Sequence, residues 1–160
     1  MTKAVYPGSF DPITHGHSDL VERAALQFDH VVVAIANNIN KKTTFSIDER
    51  VALANEVFIH CDNVSVEPVE GLIVDFAESI NASAILRGLR AVSDFEFEFQ
   101  MASMNRNLKP TIETLFMTPS EHYASISSSL VKEVARFNGD VSGFLHPLVL
   151  EKLKEKLAQA

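Results

Sequence analysis

Apolar positions along the chain fall into two patterns, short continuous runs and segments with helical spacing. Five runs are short and mostly apolar, and most contain β-branched residues, a pattern that predicts strands. They are KAVYP (3–7), HVVVAIA (30–36), NVSVEPV (63–69), SAILRG (83–88) and TIETLFMT (111–118). Because longer segments with helical spacing separate these runs, the chain is predicted to alternate strands and helices.

Helices are predicted between and after the strands, where apolar residues recur every three to four positions. The first helical segment, 16–28, places these residues on one face: Leu20, Val21, Ala24, Ala25 and Phe28. Ser46 and Glu49 form a capping box before RVALANEVF, which predicts a helix start. Two further helices are predicted at about 127–137 and 147–158.

Two helical segments lie between these, and one of them carries conflicting signals. A short helix over 71–80 is predicted to turn five residues inward: Leu72, Ile73, Phe76, Ala77 and Ile80. FEFEF (95–99) has the period of two of a strand, but the apolar positions that follow continue at helical spacing. The length of the pattern favours a helix over about 92–107.

Five strands separated by helices predict an α/β fold, a doubly wound parallel sheet of the Rossmann-like kind with C-terminal helices. We expect the strand order 3-2-1-4-5, so strands 1 and 4 are neighbours where the winding reverses. Ligands of such sheets bind in the crevice beyond the carboxyl ends of the strands at that point. The loops that meet there are PGSFDPITHGH (7–17) and RGLR (87–90).

Composition and charge narrow the function classes. Of the 160 residues, 46% are hydrophobic and 22% are charged, as in ordinary globular domains. The net charge of −7 argues against a nucleic-acid partner, and the longest apolar runs, such as VVVAIA (31–36), are far shorter than a membrane helix. With no signal-peptide pattern and Cys61 as the single cysteine, we expect a cytoplasmic protein in which Cys61 is a packed thiol.

The loop after the first strand has the features of an anion site. It lacks the GxGxxG and GxxxxGK[ST] phosphate motifs. However, a strand, a glycine-containing loop and a helix start present backbone N–H groups to an anion. Gly16 and His17 fall at the predicted helix start, where the helix dipole also favours negative charge.

Three stretches resemble a known enzyme family. SFDPxxxGH, formed by Ser9 to Pro12 with Gly16 and His17, resembles the first signature of nucleotidyltransferases with a T/HxGH motif. RGLRAVSDFEFE (87–98) and ISSSLVKEVARFNGDV (126–141) resemble the second and third signatures of the phosphopantetheine adenylyltransferase branch. The resemblance covers nearly the whole chain and implies a single nucleotidyltransferase domain over 1–160.

The resemblance also implies a reaction. ATP and 4′-phosphopantetheine would give dephospho-coenzyme A and pyrophosphate, a step of coenzyme A biosynthesis. The acceptor phosphate would attack the α-phosphorus in line, with no covalent enzyme intermediate, so the protein itself needs no nucleophile. Mg²⁺ would be held mainly by the ATP phosphates, so no protein metal site is expected. The family further implies a homohexamer and feedback binding of coenzyme A.

Catalytic and acceptor-binding roles follow from the resemblance residue by residue. His17 would stabilise charge on the α-phosphate, with helix capping as the alternative role. Ser9 would contact both substrates, and Lys41 the attacking phosphate, although a turn-capping serine and a solvated lysine are the simpler interpretations. Arg87 would grip the acceptor phosphate, and Leu72 with Ile73 would line the pantetheine arm.

The resemblance also implies a set of residues that would bind ATP, two of which are named above. They are Ser9, Phe10, His17, Gly88, Leu89, Arg90, Glu98, Tyr123, Ala124, Ser125, Ile126, Ser127, Ser128 and Ser129. Glu98 is also compatible with a solvated helix glutamate, and a single serine of the third motif with plain N-capping. His15 is interpreted as an exposed loop residue, since no third ligand lies near His15 and His17 in the sequence.

Three alternative functions stay open at this point. Nicotinamide mononucleotide adenylyltransferases and glycerol-phosphate cytidylyltransferases share the GH loop, but their third motif usually ends ISS/TTxIR, whereas this chain has ISSSLVKE. A nucleotide-binding module without catalysis would not require His17, Lys41 and Arg87 together. A flavodoxin-like electron carrier would use stacking aromatic residues, but the chain has no Trp and only two Tyr.

Overall fold

The structure is a computed structural model that describes residues 1–90 and 92–160, and for residues 92 and 93 it describes the backbone alone. Within this part, strands and helices alternate as predicted, and a short 3-10 helix, Glu121–Tyr123, follows the last strand. The strands are β1 Lys3–Gly8, β2 His30–Ala36, β3 Val64–Val69, β4 Ala84–Gly88 and β5 Glu113–Met117. The helices are α1 His15–Ala25, α2 Ile47–Val57, α3 Ile73–Ser79, α4 Val92–Leu108, α5 Ser128–Arg136 and α6 Pro147–Ala158.

The five strands form one parallel sheet in the order β3-β2-β1-β4-β5. This confirms the predicted α/β fold and the neighbouring positions of β1 and β4. In register, Val5 of β1 lies between Val32 of β2 and Ile85 of β4. The carboxyl ends of β1 and β4 therefore open into the same crevice, where the winding of the chain reverses.

Two hydrophobic cores cover the two faces of the sheet. Ala4 and Tyr6 belong to the larger core, whereas Val5 between them belongs to the smaller one. This alternation is expected, because successive side chains of a strand point to opposite faces. The larger core includes residues of α1, α2, α5 and α6, and the smaller one residues of α3.

The capping box at α2 is confirmed, whereas two of the predicted helices, 16–28 and 71–80, extend beyond the ends of the observed helices. Ser46 Oγ accepts from the Glu49 N–H at 3.2 Å, and the Glu49 carboxylate accepts from the Ser46 N–H at 2.8 Å. Helix α1 ends at Ala25, before Leu26, which is 82% exposed. Leu72 is the N-cap of α3 and is 57% exposed, so its predicted inward position was wrong.

The segment with conflicting periodicity is helical, as its length favoured. Helix α4 runs from residue 92 to residue 108 and exposes Phe95, Phe97 and Phe99. Glu98 lies among them and is buried. The alternation of Phe and Glu therefore marks an apolar exposed surface with one buried acid, rather than a strand. Among the residues described, no helix has the length and apolarity needed to cross a membrane.

Candidate active site

A cavity of about 320 Å³ opens at the carboxyl ends of β1 and β4, where the topology predicts a ligand. It brings together most of the residues singled out by the sequence: Ser9, Phe10, His17, Lys41, Arg87, Gly88, Arg90, Glu98, Tyr123, Ile126, Ser127, Ser128 and Ser129. Four others do not line it: Leu72, Leu89, Ala124 and Ser125. Ile73 lies instead in a smaller adjoining cavity that shares Arg87 and Glu98 with the first.

The loop after β1 is shaped by a strained aromatic residue. Phe10 has φ +48°, a left-handed conformation that costs a non-glycine residue about 1–3 kcal/mol. The Phe10 side chain is buried, which contributes about 1.5–3 kcal/mol and so offsets the strain. Its ring meets those of Tyr6 and His17 edge to face, at centroid distances of 5.4 and 5.0 Å. A Cβ atom on Gly8 would come within 2.9 Å of this ring, so position 8 requires glycine.

His17 is held in one tautomer at the start of α1. The backbone N–H of Thr14 donates to His17 Nδ1 at 3.0 Å. Burial lowers the pKa of His17, and the positive charge of Arg90 lowers it further, to about 4. At neutral pH the ring is therefore uncharged, with its proton on Nε2. Because the ring lines the cavity, His17 can donate a hydrogen bond to an anion there without acting as a base.

His15 was wrongly interpreted as an exposed loop residue. It is the first residue of α1 and is partly buried, with its ring edge to face against Tyr123 at 5.9 Å. Its backbone N–H donates to the Phe144 carbonyl at 2.8 Å. His15 thus contributes to how the first and third motifs pack together, outside the lining of the cavity.

Arg87 and Glu98 form a bidentate ion pair. Arg87 Nε and Nη2 donate to the two carboxylate oxygens of Glu98, each at 2.7 Å, and Arg87 Nη1 donates to the Pro7 carbonyl at 3.3 Å. The Glu98 side chain is only 9% exposed and that of Arg87 33%. The interpretation of Glu98 as a solvated helix glutamate is therefore wrong. Its carboxylate fixes the guanidinium at the mouth of β4.

Lys41 and Ser9 converge from two loops. Lys41 Nζ donates to Ser9 Oγ at 3.3 Å, although the two residues are separated by 32 positions in the chain. The sequence could not distinguish Lys41 from Lys42, but it is Lys41 that lines the cavity with Ser9. An ammonium group and a hydroxyl group therefore face the same part of the site.

Arg50 is a buried residue that sequence reasoning missed. Arg50 Nη1 donates to the carbonyls of Ser9 at 2.8 Å and Ala36 at 3.0 Å, and its Nε donates to the Phe45 carbonyl at 3.2 Å. One guanidinium thus links the ends of β1 and β2 to the start of α2. It is part of the apparently ordinary run DERVALANEV in α2, and only the tertiary structure reveals its role.

Asp11 and Lys132 form a second buried link. Asp11 accepts from the backbone N–H groups of Thr44 and Phe45 at 2.9 and 2.8 Å, and from Lys132 Nζ at 2.8 Å. Burial alone would raise the pKa of Asp11, but these hydrogen bonds outweigh it and hold the pKa below its usual range. The first motif is therefore tied both to α5 and to the loop that carries Lys41. The signatures contain Asp11 and Lys132, but they give no sign that the two side chains meet.

The serines of the third motif have different partners. Ser127 is the N-cap of α5 and accepts from the Leu130 N–H at 3.1 Å, while Ser128 donates to the Pro12 carbonyl at 2.7 Å. Arg90 donates to the Ile126 carbonyl at 3.1 Å. The N-capping alternative is thus correct for Ser127, but all three serines line the cavity at the start of a helix, where backbone N–H groups attract phosphate.

The adjoining cavity, which has a volume of about 90 Å³, shares Pro7, Arg87 and Glu98 with the main one. Its walls are mostly apolar and include Ile73, Phe97 and Met101. Asn105 and Thr114 add two polar groups, and Asn105 is buried. Among the residues described, Thr114 Oγ1 is buried with no hydrogen-bond partner. A cavity with apolar walls and an unpaired hydroxyl group suits a ligand that carries both apolar and hydrogen-bonding portions.

Comparison with known proteins agrees with the geometry. The model of the cytidylyltransferase-like family matches residues 5–134. The phosphopantetheine adenylyltransferase of Thiobacillus denitrificans is 58% identical over 159 residues, which is 99% of each chain.

Solved structures share the architecture. The nicotinic acid mononucleotide adenylyltransferase of Plasmodium falciparum, complexed with NaAD, has a TM-score of 0.70 at 14% identity, covering 99% of this chain and 95% of that one. A lipopolysaccharide core biosynthesis protein from Thermoplasma volcanium has a TM-score of 0.57 at 20% identity, covering 76% and 99%. At these identities the likeness shows the fold alone. The family itself rests on the family model and the curated relative, and together they confirm the family that the sequence resembles. The chain therefore belongs to the phosphopantetheine adenylyltransferase family, among the cytidylyltransferase-like nucleotidyltransferases.

Proposed function

We propose that the chain transfers the adenylyl group of ATP to 4′-phosphopantetheine, giving dephospho-coenzyme A and pyrophosphate. The observation that carries this proposal is the convergence of His17, Lys41, Arg87 and Arg90 on one cavity at the reversal point of the sheet. The cavity is therefore rich in donors for two anions, and Arg87 also lines the smaller cavity. A site of this kind suits a reaction between two phosphate groups.

The attacking group is the substrate's own phosphate. It is already ionised at neutral pH, so the protein need only orient it in line with the α-phosphorus and stabilise the developing charge. Lys41 and Ser9 are placed together to bind this phosphate. Arg87, whose guanidinium Glu98 and Pro7 hold in position, contributes its remaining N–H groups from the other side.

His17 stabilises charge on the α-phosphate. Its Nε2–H is a neutral donor, fixed by the Thr14 N–H on the opposite ring nitrogen. A donor that is already in place costs no reorganisation when the charge develops, which is how oxyanion-type donors act. The helix dipole of α1, which begins at His15, favours negative charge at the same place.

The triphosphate binds at the start of α5. Ser127, Ser128 and Ser129 line the cavity there, and Arg90 adds a positive charge beside them. Two carboxylates also line the cavity, but Glu98 is paired with Arg87 and Asp94 lies 3.7 Å from Arg90. The residues therefore fit a Mg²⁺ ion that the triphosphate holds, rather than one in a protein cage. When bound, Mg²⁺ neutralises charge on the β- and γ-phosphates.

The smaller cavity receives part of the pantetheine arm. Its apolar walls, Ile73 among them, suit the methylene groups of the arm, and Asn105 and Thr114 suit its amides. No described residue forms a hydrogen bond with the buried Thr114 hydroxyl, and the arm supplies this missing bond. Leu72, exposed at the N-cap of α3, lines neither cavity, so the apolar contact of α3 with the arm is made by Ile73.

Assembly as a homohexamer is also proposed, with the exposed surface of α4 as part of the interface. Six large apolar side chains there are between 43% and 59% exposed: Phe95, Phe97, Phe99, Met101, Met104 and Leu108. An apolar surface of this extent is typical of subunit interfaces. Light scattering after gel filtration should give the mass of six chains, and Phe99→Glu should lower it. A monomeric wild-type chain would contradict this proposal.

Coenzyme A contains both the pantetheine arm and an adenine nucleotide, so we propose that it binds across the same two cavities and inhibits in competition with ATP. Inhibition that added ATP does not relieve would oppose this arrangement.

A cytoplasmic location is proposed as well, since a single cysteine suits a reducing compartment. Cell fractionation tests the location, and recovery of the protein outside the cytoplasm would exclude it.

The proposed reaction is tested by pyrophosphate release from Mg²⁺-ATP. The acceptors 4′-phosphopantetheine, nicotinamide mononucleotide and glycerol 3-phosphate are offered in parallel, with CTP replacing ATP for the last. Release with 4′-phosphopantetheine alone supports the proposal. Release with another acceptor keeps the fold but reassigns the smaller cavity, and no release from a protein that binds ATP favours a binding module.

A further inference from the structure

Three potential metal ligands meet at the surface, away from the two cavities. Glu22 lies in the last turn of α1, and His60 and Cys61 lie in the connection from α2 to β3. One ligand atom from each side chain lies within 4.8 Å of the other two. Glu22 Oε1 and His60 Nε2 are 3.0 Å apart. The juxtaposition depends on the fold, because 38 positions separate Glu22 from His60 in the chain.

The connection that carries His60 and Cys61 is anchored to α1. Asn63 Nδ2 donates to the carbonyls of Ala25 and Phe28, at 2.8 and 3.2 Å, where α1 ends. The turn is closed by the Cys61 N–H, which donates to the Phe58 carbonyl at 2.9 Å. These bonds fix the turn against the helix that carries Glu22. The ligands are therefore presented by a rigid scaffold rather than by an independent loop.

We propose that Glu22, His60 and Cys61 form a binding site for a borderline-soft divalent cation, with Zn²⁺ as the best match. A thiolate, an imidazole and a carboxylate are all ligands of Zn²⁺. Mg²⁺ and Ca²⁺ prefer oxygen ligands alone, so this set selects against the cation of the ATP complex. Three protein ligands leave the fourth position of a tetrahedral site to water.

The spacing and exposure of the three groups fit this assignment. Bonds of about 2.0–2.3 Å in a tetrahedron place ligand atoms roughly 3.3–3.8 Å apart. The observed separations are all within 4.8 Å, so small side-chain rotations complete the site. Glu22 and His60 are 47% and 58% exposed, which gives an ion direct access. The site also lies at the C-terminal turn of α1, where the helix dipole favours a cation.

The simpler account is a surface ion pair between Glu22 and His60. Exposed pairs of this kind contribute little to stability. That account leaves Cys61 only its packing against the larger core. The two accounts differ in one observable, because only a metal site makes the reactivity of the Cys61 thiol depend on Zn²⁺, Glu22 and His60 together.

The test exploits the single cysteine of the chain. The full-length protein, without nucleotide, is labelled with a chromogenic disulfide reagent at increasing Zn²⁺, so the labelling rate reports Cys61 alone. We expect Zn²⁺ to slow labelling of the wild type. Glu22→Gln and His60→Gln should each require at least about tenfold more Zn²⁺ than the wild type to protect Cys61 from labelling to the same degree. Asp62→Asn is the matched control, because Asp62 follows Cys61 but supplies no atom to the cluster.

A second measurement covers the thiol variant. Co²⁺ added to the wild type should give a thiolate-to-metal absorption band that Zn²⁺ abolishes and that Cys61→Ser lacks, with circular dichroism confirming that the variant is folded. Equal Zn²⁺ protection in Glu22→Gln, His60→Gln and wild type would overturn the site. Labelling that is insensitive to Zn²⁺ would overturn it as well.

Discussion

The sharpest prediction concerns the protonation state of His17. In the structure, Thr14 donates to Nδ1 and the pKa of the ring lies at about 4, against about 6.5 for an ordinary histidine. At pH 6 a group with a pKa of 4 is about 1% protonated, whereas one with a pKa of 6.5 is about 75% protonated. We therefore expect the catalytic contribution of His17 to be constant from pH 5.5 to pH 8, as rough bounds.

The perturbation is His17→Gln, which replaces the ring held in place by Thr14 with a flexible amide side chain. Loss of one preorganised donor to a developing negative charge costs about 10²–10³-fold in turnover, or about 3–4 kcal/mol. Affinity for ATP should change little, because the donor acts mainly in the transition state. His15→Gln is the matched control in the same first turn of α1, and its turnover should stay within a few-fold of wild type.

The assay is single-turnover formation of dephospho-coenzyme A at saturating substrates across this pH range. The acceptor phosphate itself titrates near pH 6, so the informative quantity is the ratio of wild-type to His17→Gln rates at each pH. Titration of the substrate cancels in this ratio. A constant ratio supports a neutral donor. A ratio that changes about four- to eightfold between pH 6 and pH 7.5, as the neutral or the charged fraction of a histidine with a pKa of 6.5 does, would show that His17 titrates normally and would refute the neutral donor.

Three further predictions address other parts of the site. Glu98→Gln should raise the KM for 4′-phosphopantetheine about tenfold with little change for ATP, because it loosens Arg87. Asp11→Asn should lower the free energy of unfolding by about 3 kcal/mol at pH 7 in urea titrations, because it leaves Lys132 unpaired. The pKa of Asp11 is depressed in the folded state, so this difference should shrink as the pH falls below 4, as a rough bound. Thr114→Val should raise the KM for 4′-phosphopantetheine several-fold without lowering stability, because its hydroxyl has no partner among the described residues.

Each of these has a result that opposes it. An effect of Glu98→Gln on ATP alone would reverse the assignment of the two subsites. If Asp11→Asn were as stable as wild type at neutral pH, the buried link to Lys132 would contribute nothing to the fold. An unchanged KM in Thr114→Val would remove the pantetheine arm from the smaller cavity.

Much of the architecture was predictable because it depends on local patterns. Continuous apolar runs identified the strands, and alternation with helices implied a parallel sheet with right-handed crossovers. The capping box of Ser46 and Glu49 marked a helix start whose hydrogen bonds are local to four residues. Even FEFEF was correctly placed in a helix, because the length of its pattern outweighed a period of two.

The errors arose where position relative to the sheet decides the outcome. Leu72 has the spacing of a core residue, but it precedes the first turn of α3 and remains exposed. His15 belongs to the motif of the first loop in the sequence, yet it is the first residue of α1 and its ring packs against Tyr123. Spacing specifies a face of a helix, but it does not specify where the helix begins.

The partners of the site residues were beyond the sequence altogether. Motif position predicts Glu98 as an ATP contact, but it gives no sign of the ion pair that the Glu98 carboxylate forms with Arg87 in the structure. The links made by Arg50 to Ser9 and by Asp11 to Lys132 span 41 and 121 positions. Such contacts depend on the assembled sheet, and no local signal in a single sequence announces them.

The most direct test of the account follows the adenylyl group itself. Enzyme in excess is mixed with Mg²⁺-ATP labelled at the α-phosphorus and with 4′-phosphopantetheine, and the reaction is quenched at successive times. We predict that the label passes from ATP into dephospho-coenzyme A, with one pyrophosphate for each and no label on the protein at any time. Label bound to the protein, or label that ends in AMP alone, would contradict direct transfer between the two anions in this cavity.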